Sequence, residues 1–96
     1  MPRIFEFNGY MFYFWSNEYS GGKLEPIHVH VSQNYDKNAT KFWLMKDGST
    51  CLDKNSVNEF TSSQIKLFED VITANREEIF NKWINHFGSG EFKEKI

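Results

Sequence analysis

Pro26-Ile27-His28-Val29-His30-Val31-Ser32 is the stretch whose reading decides the fold. A strand has a period of two, so Ile27, Val29 and Val31 project from one face and His28 and His30 from the other. The aliphatic trio marks the buried face. The imidazoles are expected on the solvent face, roughly 6.6 Å apart along the strand at about 3.3 Å per residue.

Working outward, Arg3 to Phe7 reads as a first strand and Tyr10 to Ser16 as a second, joined by Asn8-Gly9, the strongest short hairpin signal. The second strand is apolar on both faces, Tyr10, Phe12 and Phe14 against Met11, Tyr13 and Trp15, as a central or doubly covered strand requires. Ser16 to Glu25 contains Gly21-Gly22 and reads as a mobile polar loop. Ile27 to Gln33 is the third strand and Ala39 to Met45 the fourth, with Phe42 and Leu44 opposing Lys41, Trp43 and Met45. Asp47-Gly48 turns the chain towards a short fifth strand at Thr50 to Leu52.

The second half is helical. Thr61-Ser62-Ser63 offers N-caps. At 100° per residue Ile65, Phe68, Ile72, Ile79, Phe80, Trp83 and Phe87 form one stripe, with Arg76 its charged member, placed to meet a sheet carboxylate. The phase favours one helix over residues 62 to 87, roughly 39 Å long at 1.5 Å rise. The alternative is a kink or break near Ala74-Asn75, where Asn75 and Glu78 resemble a capping box. Gly88 ends the helix, and His86 reads as a C-terminal cap. The expected fold is α+β: a curved antiparallel sheet of four to five strands with one long C-terminal helix packed on one face. Residues 1–87 form the single domain and 88–96 a flexible tail.

Composition narrows the function classes. The 96 residues include ten Phe, four Tyr and three Trp, and each ring buries on the order of 150–250 Å² in a core this small. A net charge of -2 argues against strong binding to duplex DNA, although Lys37, Lys41 and Lys46 cluster after the histidine strand. A lone Cys51, without a cue for thiolate activation, excludes an internal disulfide and fits a reducing compartment. With no signal-type segment and no apolar run near 20 residues, a cytoplasmic protein without membrane contact is expected.

The chain resembles the small bacterial domain-of-unknown-function family DUF4160. The resemblance rests on Met1-Pro2-Arg3-Ile4-Phe5, Phe12-Tyr13-Phe14 leading to Ser16-Asn17-Glu18, Pro26 to Val31, Lys41-Phe42-Trp43-Leu44, and Asn75-Arg76-Glu77-Glu78-Ile79 before Trp83. That family has no established activity. Its genes often stand beside those of a second family, DUF2442, which implies a small protein partner and a toxin–antitoxin-like paired module. Members often carry a histidine after the residue matching Glu18, and a histidine or proline just before the His-Val-His segment; Tyr19 and Ile27 fill those places here.

Three site chemistries follow from the residues. In the first, His28 and His30 flank a phosphate as general base and acid, Lys41 stabilises phosphoryl charge, and Tyr13 or Trp15 stacks an RNA base. In the second, exposed Tyr13, Trp15 and Trp43, with Glu18, dock a protein partner without catalysis; against it stands a second small core closed by the Ser16 to Glu25 loop. In the third, His28 and His30 ligate a metal with Glu18 or Asp36 as third ligand. The sequence guarantees two ligands where a catalytic site needs roughly three, so no metal or other cofactor is expected. The plainest reading makes the histidines ordinary polar residues of a solvent face.

Overall fold

Asn8 and Gly9 adopt φ of 50° and 82°, the two positive values of a type I′ turn. They join β1 (Arg3–Phe7) to β2 (Tyr10–Tyr13) in a computed structural model that describes residues 3–36 and 38–94. Next come β3 (Tyr19–Ser20), β4 (Lys23–Leu24), β5 (His28–Ser32), β6 (Thr40–Leu44) and β7 (Thr50–Leu52). Helices α1 (Ser62–Ala74) and α2 (Arg76–Phe87) complete the order. Five strands form one antiparallel sheet in the order β1-β2-β5-β6-β7, and β3–β4 is a separate hairpin inserted between β2 and β5.

The sheet is open rather than curled, which corrects the expected curvature. Bulges are what bend a sheet, and the one register shift here lies between Arg3 and Phe5 on edge strand β1. The central pairs β2–β5 and β5–β6 run in unbroken register. The shift has a local effect: Ile4 turns into the core while Phe5 still stacks on Phe12 at 4.7 Å.

The single long helix is corrected to two. Thr61 closes a full capping box with Gln64 at the start of α1. Asn75 interrupts the helix at φ −110°, ψ 20°, and its side chain donates back to the Val71 carbonyl at 2.8 Å instead of capping α2. The bonds from Asn75 N to Val71 O and from Ile79 N to Asn75 O survive at 3.1 Å each. The helical phase therefore carries across the break. Phe68, Ile72, Ile79 and Trp83 all reach one core with Phe12, Val29, Val31, Phe42 and Leu44. Arg76 meets no sheet carboxylate. Its guanidinium donates to the Met45 carbonyl at 2.6 Å and lies over the Phe92 ring.

The segment after α2 is tied down rather than frayed. Gly88 takes a left-handed φ of 82° and ends α2. Ile27 N then donates to Glu91 O at 2.8 Å, Lys93 N to Leu44 O at 2.9 Å, and Lys46 N to Lys93 O at 2.8 Å. Gly90 makes this approach possible, because a Cβ there would stand 2.7 Å from the buried Trp83 indole. Lys95 and Ile96 lie outside the described residues. Among the described residues no helix is long and apolar enough to cross a membrane.

Candidate functional site

Cross-strand register sets Tyr13 opposite His30, His30 opposite Lys41, and His28 opposite Trp43. All five residues stand on the face away from the core aliphatics, as the alternation requires. The expected exposure of that face is corrected. His28 is 0% exposed, His30 6%, Tyr13 0% and Trp43 8%. The chain leaves β2 after Tyr13, earlier than the expected Ser16, and the following excursion lies over the histidine face. Tyr13, Trp15 and Trp43 are therefore not an open docking surface: Tyr13 packs on Trp15 and Tyr35, and Trp43 lies under Lys41 and Lys93.

Glu18 is the buried centre of this arrangement, at 5% exposure. Its Oε2 accepts the Trp15 backbone N–H at 2.8 Å and lies 3.2 Å from Nε2 of both His28 and His30. The Glu18 carbonyl accepts Glu25 N–H at 3.0 Å, which closes the excursion on itself. His86 secures it from the other side, with Nε2 3.0 Å from the Ser16 carbonyl, in place of the expected cap on its own helix.

The hydrogen bonds assign the tautomers. His28 Nδ1 lies 2.8 Å from the Pro26 carbonyl, which can only accept, so Nδ1 carries a proton. In the neutral ring Nε2 then presents a lone pair to Glu18 Oε2, at 3.2 Å but off a hydrogen-bonding line. Two acceptors facing each other in a dry site repel unless positive charge joins them, either a proton on Nε2 or a metal ion. His30 Nε2 faces the same oxygen in hydrogen-bonding geometry, and His30 Nδ1 is buried without a partner. Burial raises the Glu18 carboxyl. The His28 and His30 side chains and the Trp15 N–H outweigh that and hold it well below the ordinary carboxylate range.

Aromatic rings fix the imidazoles. His28 meets Trp43 at 5.3 Å and Trp83 of α2 at 5.2 Å, both edge-on, and Tyr13 stacks on His30 at 5.7 Å. Contact between His28 and a helix residue is a further departure from a purely solvent-facing pair. The Tyr13 hydroxyl donates to the Asp36 carbonyl at 2.7 Å and sits 3.0 Å from Ser32 Oγ. Burial chiefly raises its pKa, opposed by the Ser32 bond.

Lys41 shares the histidine face but is committed elsewhere. Its ammonium lies 2.9 Å from Glu25, 3.8 Å from Asp53 and 4.5 Å above the Trp43 ring. Lys93, at 4.7 Å from the same ring, is a second cation on Trp43 that sequence reading missed. Lys46 pairs with Glu94, and Lys37 lies outside the described residues, so no basic patch is built from Lys41 and Lys46. Asp36 is not part of the carboxylate–histidine group. Cys51 is half-buried, and burial pushes its thiol up, away from nucleophilic use.

Acid–base cleavage across a phosphate requires an imidazole on each side of it. Here both Nε2 atoms converge on one buried carboxylate oxygen, so no phosphate stands between them. Instead Glu18, His28 and His30 bring three ligand atoms within 4.8 Å of one another. A cleft of about 590 Å³, lined in part by Trp15, Glu18, Glu25, His30, Asn38 and Lys41, opens beside them.

Residues 9–84 match the model of the Domain of unknown function family DUF4160. The chain belongs to that family. The match takes in Glu18, both histidines and Lys41, and it stops short of the segment that carries Gly90 and Lys93. DUF4160 membership brings no assigned activity. Comparison with curated proteins and with solved structures returned no match. In this DUF4160 domain Tyr19, at the position where the resemblance places a histidine, is 54% exposed and leans on Phe87.

Proposed function

We propose that this DUF4160 domain is a metal-binding protein in which Glu18, His28 and His30 hold one divalent transition ion, with zinc the reference. One observation carries the reading. His28 Nδ1 is taken up by the Pro26 carbonyl, which turns Nε2, the ligating atom of the neutral ring, into a buried group containing a second imidazole and a carboxylate. A carbonyl on the far ring nitrogen is the usual support of a metal-bound histidine. With zinc–ligand bonds of about 2.0–2.1 Å, neighbouring ligand atoms of a tetrahedron lie roughly 3.3 Å apart. Glu18 Oε2 stands 3.2 Å from each Nε2. Two histidines with one carboxylate also form a donor set that leaves zinc an open position, as in metal-dependent hydrolases.

Elemental analysis and calorimetry on untagged protein test this. One zinc per chain is the expected stoichiometry. Because loss of a supporting partner alone costs about 10–100-fold in affinity, Glu18→Gln and His28→Ala should each cost at least about 100-fold. Protein that takes up no stoichiometric metal, or folded variants that bind as well as the parent, would overturn the reading.

A further inference from the structure

The three ligands are not held alike. Glu18 and His30 line the cleft, whereas His28 is fully buried between the Trp43 and Trp83 rings. His28 and Trp43 are also the terminal pair of the β5–β6 register. The segment after α2 closes that end of the ladder. Glu91 O accepts Ile27 N–H at 2.8 Å, Ile27 O accepts Leu44 N–H at 3.0 Å, and Leu44 O accepts Lys93 N–H at 2.9 Å. The residues adjoining His28 and Trp43 are thereby tied into one chain of backbone bonds. The same segment reaches both rings that enclose His28. Gly90 lies against the Trp83 indole, where a Cβ would stand 2.7 Å from Cδ1, and the Lys93 ammonium lies 4.7 Å from the Trp43 ring. Phe92 anchors the segment to α2, stacked on Phe80 and under the Arg76 guanidinium.

We infer that Gly90 to Lys93 form a strap of positioning residues for the metal site: docked, the strap holds His28 Nε2 at the ion, and undocked, it leaves the ion to Glu18 and His30. The inference rests on the metal reading above. Its selectivity for one ligand follows from the topology. His28 stands one residue from the strap's bond at Ile27, and the strap backs both rings that pack on it. Its own hydrogen bond, from Nδ1 to the Pro26 carbonyl, is made to the residue just before Ile27. Glu18 is oriented by the Trp15 N–H and His30 by the stacked Tyr13 ring, partners outside the strap. A direct supporting partner of a ligand is worth about 10–100-fold in metal affinity. The strap supports His28 through its neighbours, which places the effect at the low end, about tenfold. The coupling is reciprocal: a strap that tightens the ion is itself tightened by the ion, by the same factor.

Zinc titration of the full chain comes first. A parent that takes up no stoichiometric zinc sinks the metal reading and the inference together. Gly90→Ala, which drives a Cβ into the Trp83 indole, and Phe92→Ala, which frees the strap at Phe80, should each weaken zinc binding about tenfold. Ile65→Ala, a truncation at the helix core, controls for lost stability and should bind zinc as the parent does. A double-mutant cycle reads the route: in a His28→Ala background the strap substitutions should cost nothing further. The parent supplies a readout that depends on no variant folding. Saturating zinc should slow amide exchange at Lys46 and Lys93, whose N–H groups bond along the strap, by the same factor of about ten. Strap variants that bind zinc as tightly as the parent, an equal loss in Ile65→Ala, a loss that adds in full to that of His28→Ala, or exchange at Lys46 and Lys93 that zinc leaves unchanged would each overturn the inference and leave the metal reading standing.

Discussion

The two faces of the sheet are closed by different physics. On one, two helices lay Phe68, Ile72, Ile79 and Trp83 against Phe12, Val29, Val31, Phe42 and Leu44, an apolar layer that needs only shape to be stable. On the other, Tyr13, Trp43, two imidazoles and a carboxylate are buried among Trp15, Tyr35, Lys41 and Lys93. Burying those ionisable groups is unfavourable unless each finds a partner. Glu18 accepts from Trp15 N–H and meets His30 Nε2 in hydrogen-bonding geometry, while His28 Nε2, 3.2 Å away, and His30 Nδ1 lack a hydrogen bond. The helix face leaves one neutral donor unmet, the buried Trp83 Nε1–H, whereas the polar atoms left without a hydrogen bond on the histidine face belong to ionisable imidazoles.

The contrast can be broken most directly at Trp83, which belongs to the helix core and also touches His28. Trp83→Ala should cost about 3–5 kcal/mol in denaturant unfolding of the metal-free protein. A loss under about 1 kcal/mol would mean that the helix face does not dominate stability. Next in size, zinc at 100 times its dissociation constant should add about 2.7 kcal/mol. Hydrogen exchange should then slow at Trp15 and Glu25, with α1 amides slowing only as far as global unfolding sets them. Equal local protection on both faces would erase the distinction. Smallest, Tyr13→Phe should cost about 1 kcal/mol, since it removes the bonds to Asp36 and Ser32 while keeping the ring on His30. A thermal melt unchanged from the parent would show that the hydroxyl contributes nothing.

Much of the helix face was legible in the sequence. Alternation in Ile27 to Val31 and Phe42 to Leu44 fixed the strand faces, and Asn8-Gly9 fixed the first turn. The apolar stripe located the helical half but favoured one helix, because the hydrogen bonds spanning Asn75 preserve the phase; the alternative of a break near Ala74-Asn75 is the one found, without the capping box expected there. The histidine face was legible only in part. Period two separates His28 and His30 from the aliphatics, yet it cannot say whether their side is covered. The carboxylate that meets them comes from a glycine-containing segment whose two strands have two residues each, too short for any periodicity. Glu18 could be named as a ligand candidate, but its meeting with both imidazoles depends on how that segment folds back. The segment from Glu91 to Lys93 was missed for another reason: backbone bonds seat much of it, and its residue marks, Gly90 against Trp83 and Phe92 on Phe80, are single positions without periodicity.

The unequal burial of the three ligand atoms sets an itinerary. On the metal reading proposed above, a cation arriving from solvent would meet Glu18 and His30 at the cleft wall before it reached His28, which the two indoles enclose. Uptake would then be stepwise, fast capture followed by slower seating, and release would begin with the outer pair while the innermost nitrogen lets go last.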